Sequence, residues 1–143
     1  MVKRKILSLL LVVLSLFCLV SCDQENNTGA LGCEVVSVTD TRVVISVSEK
    51  DGSFTVLDCM EGLREEGNIS YKISGTMVTE INGKANTADF SGCWMLYTSD
   101  AEMSNAEWGT VEYDGKTLGS AILGADALTV TVGEIYIWEY VIF

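Results

Sequence analysis

From residue 31 on, the chain is a succession of short Val-, Ile- and Thr-rich runs separated by Gly, Asn and Asp, with one stretch that changes period. This alternation constrains the fold more than any other feature. Runs at 31–38 and 42–48 read as strands with a turn at Thr39-Asp40-Thr41, and Lys50-Asp51-Gly52-Ser53 reads as the next turn. Residues 54–56 read as a short strand, and further strands are expected at 69–74, 77–81, 93–98, 110–113, 116–118, 128–132 and 135–141. The chain has no Pro, so its turns rest on Gly, Asn and Asp. Asn82-Gly83 and Asp114-Gly115 are strong hairpin dipeptides, because both of their central positions tolerate positive φ.

The period changes once. Val56, Cys59, Met60 and Leu63 fall at i, i+3, i+4 and i+7, which is one face of a helix. Thr55 stands three residues before Asp58, the spacing of a reciprocal N-terminal cap. Gly67 follows Glu65-Glu66 and supplies the left-handed residue that ends a helix. The two glutamates sit at the wrong end for the helix dipole, so the helix must depend on packing. One helix among many strands predicts an α+β fold, the helix packed on a mostly antiparallel or mixed sheet.

The strands begin late because the first 21 residues read as an address. Lys3-Arg4-Lys5 is a positive start, and the 15 residues 6–20 carry no charge. A spanning helix needs about 20 apolar residues, so this run reads as a secretory signal. It ends in Leu19-Val20-Ser21-Cys22, which resembles the lipobox of bacterial lipoproteins. The resemblance implies a lipid on Cys22 and loss of residues 1–21. Two acyl chains hold a bilayer stably where one does not. Residues 22–32 read as a flexible polar tether and 33–143 as the folded domain. The expected location is the extracellular face of the bacterial cell membrane, with the membrane as partner through Cys22.

Composition then excludes several functions. All 20 acidic residues follow Cys22, against six basic ones, leaving a formal charge of −14 after residue 21. Such a surface repels phosphate backbones and anionic lipid, so nucleic acid is not an expected partner and charge cannot hold the chain to a membrane. With no His, the commonest metal ligand and general base is missing. A Ser or Cys nucleophile lacks its usual base, no carboxylate pair stands out, and no catalytic residue is assigned. No metal site is assigned either: Asp100, Glu102 and Glu107 lack the spacing of a calcium loop. Of the cysteines, Cys33, Cys59 and Cys93 remain beyond Cys22, and three cannot all pair within one chain. The alternatives are one bridge with a free thiol, or three buried thiols, with the second favoured.

The part from Val43 to Phe143 resembles the transcobalamin C-terminal-like domain family, found in bacterial surface lipoproteins. The resemblance rests on four places: Ser53-Phe54-Thr55-Val56-Leu57-Asp58, Gly92-Cys93-Trp94-Met95-Leu96-Tyr97, Ser120-Ala121-Ile122-Leu123-Gly124, and Gly133 to Tyr140. The run from Gly92 to Tyr97 is similar to the family's Gly-x-Trp-x-x-Tyr strand, and that from Gly133 to Tyr140 to its aromatic closing strand. The resemblance implies a small β-grasp-like domain. In vitamin-carrying relatives such a domain closes over cobalamin held against a helical domain, which this sequence lacks.

Candidate contacts are aromatic. On the last strand Tyr136, Trp138, Tyr140 and Ile142 face one way, and Ile135, Ile137, Glu139, Val141 and Phe143 the other. The aromatic row is either a platform for a ring, sugar or corrin, or part of the core. Glu139 favours the core, because a carboxylate on the opposite face asks for solvent there. Trp94 and Leu96 share a core-facing side, which leaves Tyr97 as an exposed candidate. Residues 99–109 read as a polar loop carrying Trp108, a further candidate. The expected function is a lipid-anchored binding or interaction module without a cofactor. Its ligand would be cobalamin-like, a glycan or a partner surface protein. The alternatives are a carboxylate-dependent surface hydrolase and a purely structural surface protein.

Overall fold

The computed structural model describes residues 31–49 and 52–143. Cys22, the leader, most of the tether, and Lys50 and Asp51 of the second expected turn lie outside the described residues. Among those described, half of the residues lie in strands and one helix is present, a small α+β domain dominated by antiparallel sheet.

The Val-rich runs form β1 (Cys33–Val38) and β2 (Arg42–Val47), paired from Cys33↔Val47 to Val38↔Val43 with a bulge between Val35 and Ser37. The helix α1 (Val56–Glu65) follows. Next come β3 (Tyr71–Ser74), β4 (Met77–Ile81) and β5 (Lys84–Ala85), a separate three-stranded sheet turned at Asn82-Gly83. The chain then returns to the first sheet through β6 (Gly92–Thr98), β7 (Ser104–Tyr113), β8 (Lys116–Ala121) and β9 (Ile135–Ile142). The large sheet runs β1-β2-β9-β6-β8-β7, antiparallel at every pairing. The last strand in sequence thus lies in the middle, pairing Val43↔Trp138 on one side and Leu96↔Trp138 on the other.

The helix forms where the period changes. Thr55 Oγ1 accepts from Asp58 N, and the Asp58 carboxylate accepts from Thr55 N at 2.7 Å, a closed capping box. Gly67, at φ +78°, ends it: Gly67 N donates to Arg64 O and Asn68 N to Leu63 O, the two bonds of a Schellman turn. Residues 128–132, expected as a strand, form none. They run beside the helix start with only the isolated bridge Thr55↔Thr129. The first-turn donors explain why: Val56 N bonds Leu128 O and Leu57 N bonds Ala125 O, so Leu128 and the turn just before it satisfy groups that a helix N-terminus leaves free. Leu128 and Val130 are fully buried as a result.

Each face of the large sheet carries a core. Val43, Ile45, Trp94, Leu96, Tyr136 and Trp138 face α1, whose Val56, Cys59, Met60 and Leu63 are all buried. The opposite face carries a smaller cluster of Val44, Tyr97, Val111, Leu118 and Ile137. It is covered by the β7–β8 hairpin, which pairs with β6 only at Tyr97↔Ser120 and Thr98↔Gly119. Arg42 ties the hairpin down. Its guanidinium donates to the Glu112 carbonyl on β7 at 3.2 Å and pairs with Glu139 on β9.

Two expectations change here. Only 99–103 of the expected 99–109 loop lies outside the strands; the rest belongs to β7, whose register slips between Asn105 and Thr110. A polar run reads as a loop from sequence, but a hairpin strand with one solvated face is polar too. Also, Cys33 and Cys59 form a disulfide, tying the start of β1 to the buried face of α1 and leaving Cys93 as a free, half-buried thiol. Three reduced thiols is therefore the wrong alternative. The helix face that buries Cys59 is laid against the strand carrying Cys33.

Candidate functional site

The aromatic row of β9 faces the main core. Tyr136 is 1% and Trp138 5% exposed, so neither is an open platform, and Tyr140 is half-buried beside them. Most of the row's polar atoms are spent on backbone. Tyr136 Oη accepts from Thr131 N at 2.8 Å, and Tyr140 Oη donates to Ala85 O at 3.1 Å. Trp94, edge-on to Tyr140 with centroids 5.4 Å apart, donates its indole N–H to Lys84 O at 2.7 Å. The Lys84 ammonium lies over the Tyr140 ring. These contacts clamp β5, and with it the small sheet, to the large one. They also account for Gly92 at the head of β6: a Cβ there would lie 2.7 Å from Tyr140 Oη.

Trp138 is the exception. Its Nε1 is buried and has no hydrogen-bond partner. A buried indole N–H ordinarily finds an acceptor, and leaving one unmade costs on the order of 1–3 kcal/mol.

Trp138 lines a pocket of about 340 Å³ between the two sheets. Its inner wall is Val78 of β4, Trp94 and Leu96 of β6, and Ala125, all buried. Its rim is Met77, Phe90, Ile122 and Leu123, which are among the large apolar side chains left 40% exposed or more. Asn86 contributes an amide that is already used, donating to Val78 O and accepting from Trp94 N. No Asp, Glu, Lys or Arg lines the pocket. Cys93 does, and burial raises its thiol above the usual range. The lining can hold an apolar body, but it carries no acid–base pair.

Phe90 is held at the rim by unusual backbone. Its φ is +58°, a left-handed conformation that bulky side chains avoid. The turn is pinned around it: Phe90 N donates to Thr87 O, and the Asp89 carboxylate accepts from both Ser91 N and Ser91 Oγ. Those bonds pull the Asp89 carboxyl down to about 2.

The other candidates fall elsewhere. Tyr97 is 5% exposed, not open to solvent as expected, because the β7–β8 hairpin folds over its face. That burial raises its phenol. Trp108 is exposed, on the irregular stretch of β7 and away from the pocket lining. Of the five aromatic candidates, only Trp138 lines the pocket. The rim residues Met77, Phe90, Ile122 and Leu123 carry no signal of their own in the sequence. They come from three separate segments, although Ile122-Leu123 falls inside the run Ser120–Gly124 that contributes to the family resemblance.

Among the described residues no group of three or more Cys, Asp or Glu side chains is placed to hold a metal ion, and no helix is long and apolar enough to cross a membrane. No protein-family model, no curated protein and no solved structure matches the chain.

Proposed function

We propose that the chain is a binding module, held at the extracellular face of a bacterial cell membrane by a lipid on Cys22, whose ligand site is the apolar pocket between the two sheets. The observation that carries this reading is the pocket: about 340 Å³, apolar-walled, rimmed by exposed Phe90 and Leu123. Small-molecule sites have this size and character. An apolar cavity of about 150 Å³ takes up benzene, so a pocket of this volume would hold roughly a dozen heavy atoms. A corrin is several times larger and would only rest across the mouth. A sugar would need more polar partners than the Thr76 and Ser120 hydroxyls and the already bonded Asn86 amide that the lining offers. The ligand is therefore a small, neutral, largely apolar molecule.

The resemblance to transcobalamin C-terminal-like domains supports a binding role, and we read the β1–β2 hairpin, α1 and the central β9 as a β-grasp-like arrangement. A carboxylate-dependent hydrolase is the weaker reading, since no carboxylate lines the pocket.

Titration with the neutral fluorophore phenylnaphthylamine, whose naphthyl ring system fits the pocket while its phenyl ring extends over the Phe90 and Leu123 rim, tests the site. Saturable enhancement is expected, and Leu123→Asp should abolish it without changing the circular dichroism spectrum. Enhancement that survives in the variant would refute the assignment. Detergent phase partitioning of the cell-expressed protein tests the anchor: Cys22→Ala should move it from the detergent to the aqueous phase, and unchanged partitioning would remove the anchor from the account.

A further inference from the structure

We infer that Trp108 and the hydroxyl of Tyr97 form a second binding site, for a neutral sugar ring, on the hairpin that covers the back of the large sheet. This site is independent of the pocket between the sheets. Two observations meet at Gly109. The first is a large ring left in water: Trp108 is 61% exposed, and no other large apolar side chain between residues 99 and 121 is exposed. The second is a polar atom left without a partner. The Tyr97 ring is covered by the hairpin, yet its hydroxyl bonds none of the described residues and is not sealed from the surface. Gly109, the neighbour of Trp108, lies over that hydroxyl: a Cβ there would stand 3.4 Å from Tyr97 Oη. Its φ of +132° suits glycine, so the phenol stays uncovered at this point.

The stretch that presents Trp108 is fixed in place. Where the register of β7 and β8 slips, residues 106–109 face no residue of β8. Asn105 Oδ1 accepts from Glu107 N at 2.9 Å, and β8 makes room beneath with Gly119, whose Cβ would lie 3.1 Å from Ala106 N. A platform held in this way has little freedom left to lose on binding.

The surroundings select the ligand. Ala106, Glu107 and Thr110 beside the indole are exposed, and none offers a second large apolar surface. A protein interface gathers several anchors into a desolvated centre. A lone aromatic ring among polar groups suits a pyranose, which lays its C–H face on the ring and turns its hydroxyls outward. The Tyr97 phenol can donate to or accept from one of those hydroxyls. Burial raises its pKa, so it stays protonated at neutral pH. No Lys or Arg lies between residues 99 and 115, whereas Asp100, Glu102, Glu107, Glu112 and Asp114 do. The site therefore disfavours uronic and sulfated sugars.

Maltohexaose, cellohexaose and chitohexaose serve as neutral probes and polygalacturonate as the anionic one. Each is titrated into the intact, isotope-labelled chain while the indole N–H resonances are followed. A neutral probe should move the Trp108 resonance saturably, while those of Trp94 and Trp138, both buried, stay in place. Trp108→Ala should abolish binding with the urea midpoint unchanged. Tyr97→Phe keeps the buried ring and should weaken binding roughly three- to tenfold, the worth of one net hydrogen bond. Leu123→Asp, which disables the pocket, should leave sugar binding unchanged, so the two sites stand or fall separately.

No saturable shift with any neutral probe, binding that survives Trp108→Ala, or tighter binding of polygalacturonate would overturn the inference and leave the pocket assignment standing. So would a Trp108 shift caused by phosphatidylcholine vesicles and by none of the sugars, which would make the ring a membrane contact. Sugar binding lost in Leu123→Asp would also overturn it, by placing the sugar in the pocket.

Discussion

Phe90 is the residue at which stability and binding pull apart. A bulky side chain at φ +58° costs on the order of 1 kcal/mol relative to Gly, and here the cost holds an exposed ring at the rim of an apolar pocket. Phe90→Gly should therefore leave stability unchanged or raise it by up to about 1 kcal/mol, while phenylnaphthylamine affinity falls severalfold. Urea titration and fluorescence on the same sample check both halves. A destabilised variant with unchanged affinity would show that the ring serves the core and not the rim. The sequence carries no warning of this residue, because a left-handed Phe is fixed by the bonds of Thr87 and Asp89 around it. Glu139, by contrast, is legible: a carboxylate on one face of β9 does mark the side opposite the main core, where it meets Arg42. Tyr97 misleads for a related reason. Alternation assigns it correctly to the face away from Trp94, but says nothing of a hairpin that folds back over that face. Which indole or phenol finds a partner is also hidden, since the partners are backbone atoms of β5 and of the segment before β9.

At the scale of elements, α1 is legible almost to the residue, because cap, apolar face and terminating Gly are all local. Strand positions are legible where β-branched residues alternate or a turn dipeptide closes a hairpin. β5 escapes because two residues carry no period, and the first half of β7 because its polar residues line a solvated edge. The segment 128–132 has the composition of a strand, yet its Leu128 carbonyl answers the helix N-terminus and its Val130 N–H bonds Phe54 O instead. The Cys33–Cys59 bridge is beyond the sequence, since three cysteines allow several states and only the packing of α1 on the sheet selects one. Its closed loop spans a separation of 26 residues, for which chain entropy alone gives about 3 to 4 kcal/mol. The double variant Cys33→Ala, Cys59→Ala should lose stability of that order, read as a lower urea midpoint. Freed of the staple, β1 becomes an ordinary edge strand with Val36 and Val38 already exposed, so the variant should also aggregate more readily. A midpoint equal to that of the parent chain would mean that burial alone holds β1.

At the scale of the whole molecule, the protein is two sheets joined by aromatic side chains that reach from one to the backbone of the other. The pocket exists because this junction closes at Trp94 and Tyr140 and stays open beside Trp138. The opposite face of the large sheet is sealed by the β7–β8 hairpin, so the two faces make opposite predictions about where a ligand can enter. Isotope-labelled methyl spectra of the intact chain, titrated with butyrophenone, compare them directly. The methyls of Val78, Leu96, Ala121, Leu123 and Ala125 should move together and saturate, while those of Val44, Val111, Leu118 and Ile137 stay in place. Perturbation confined to the second set, or none in either, would contradict the assignment of the pocket as the binding site.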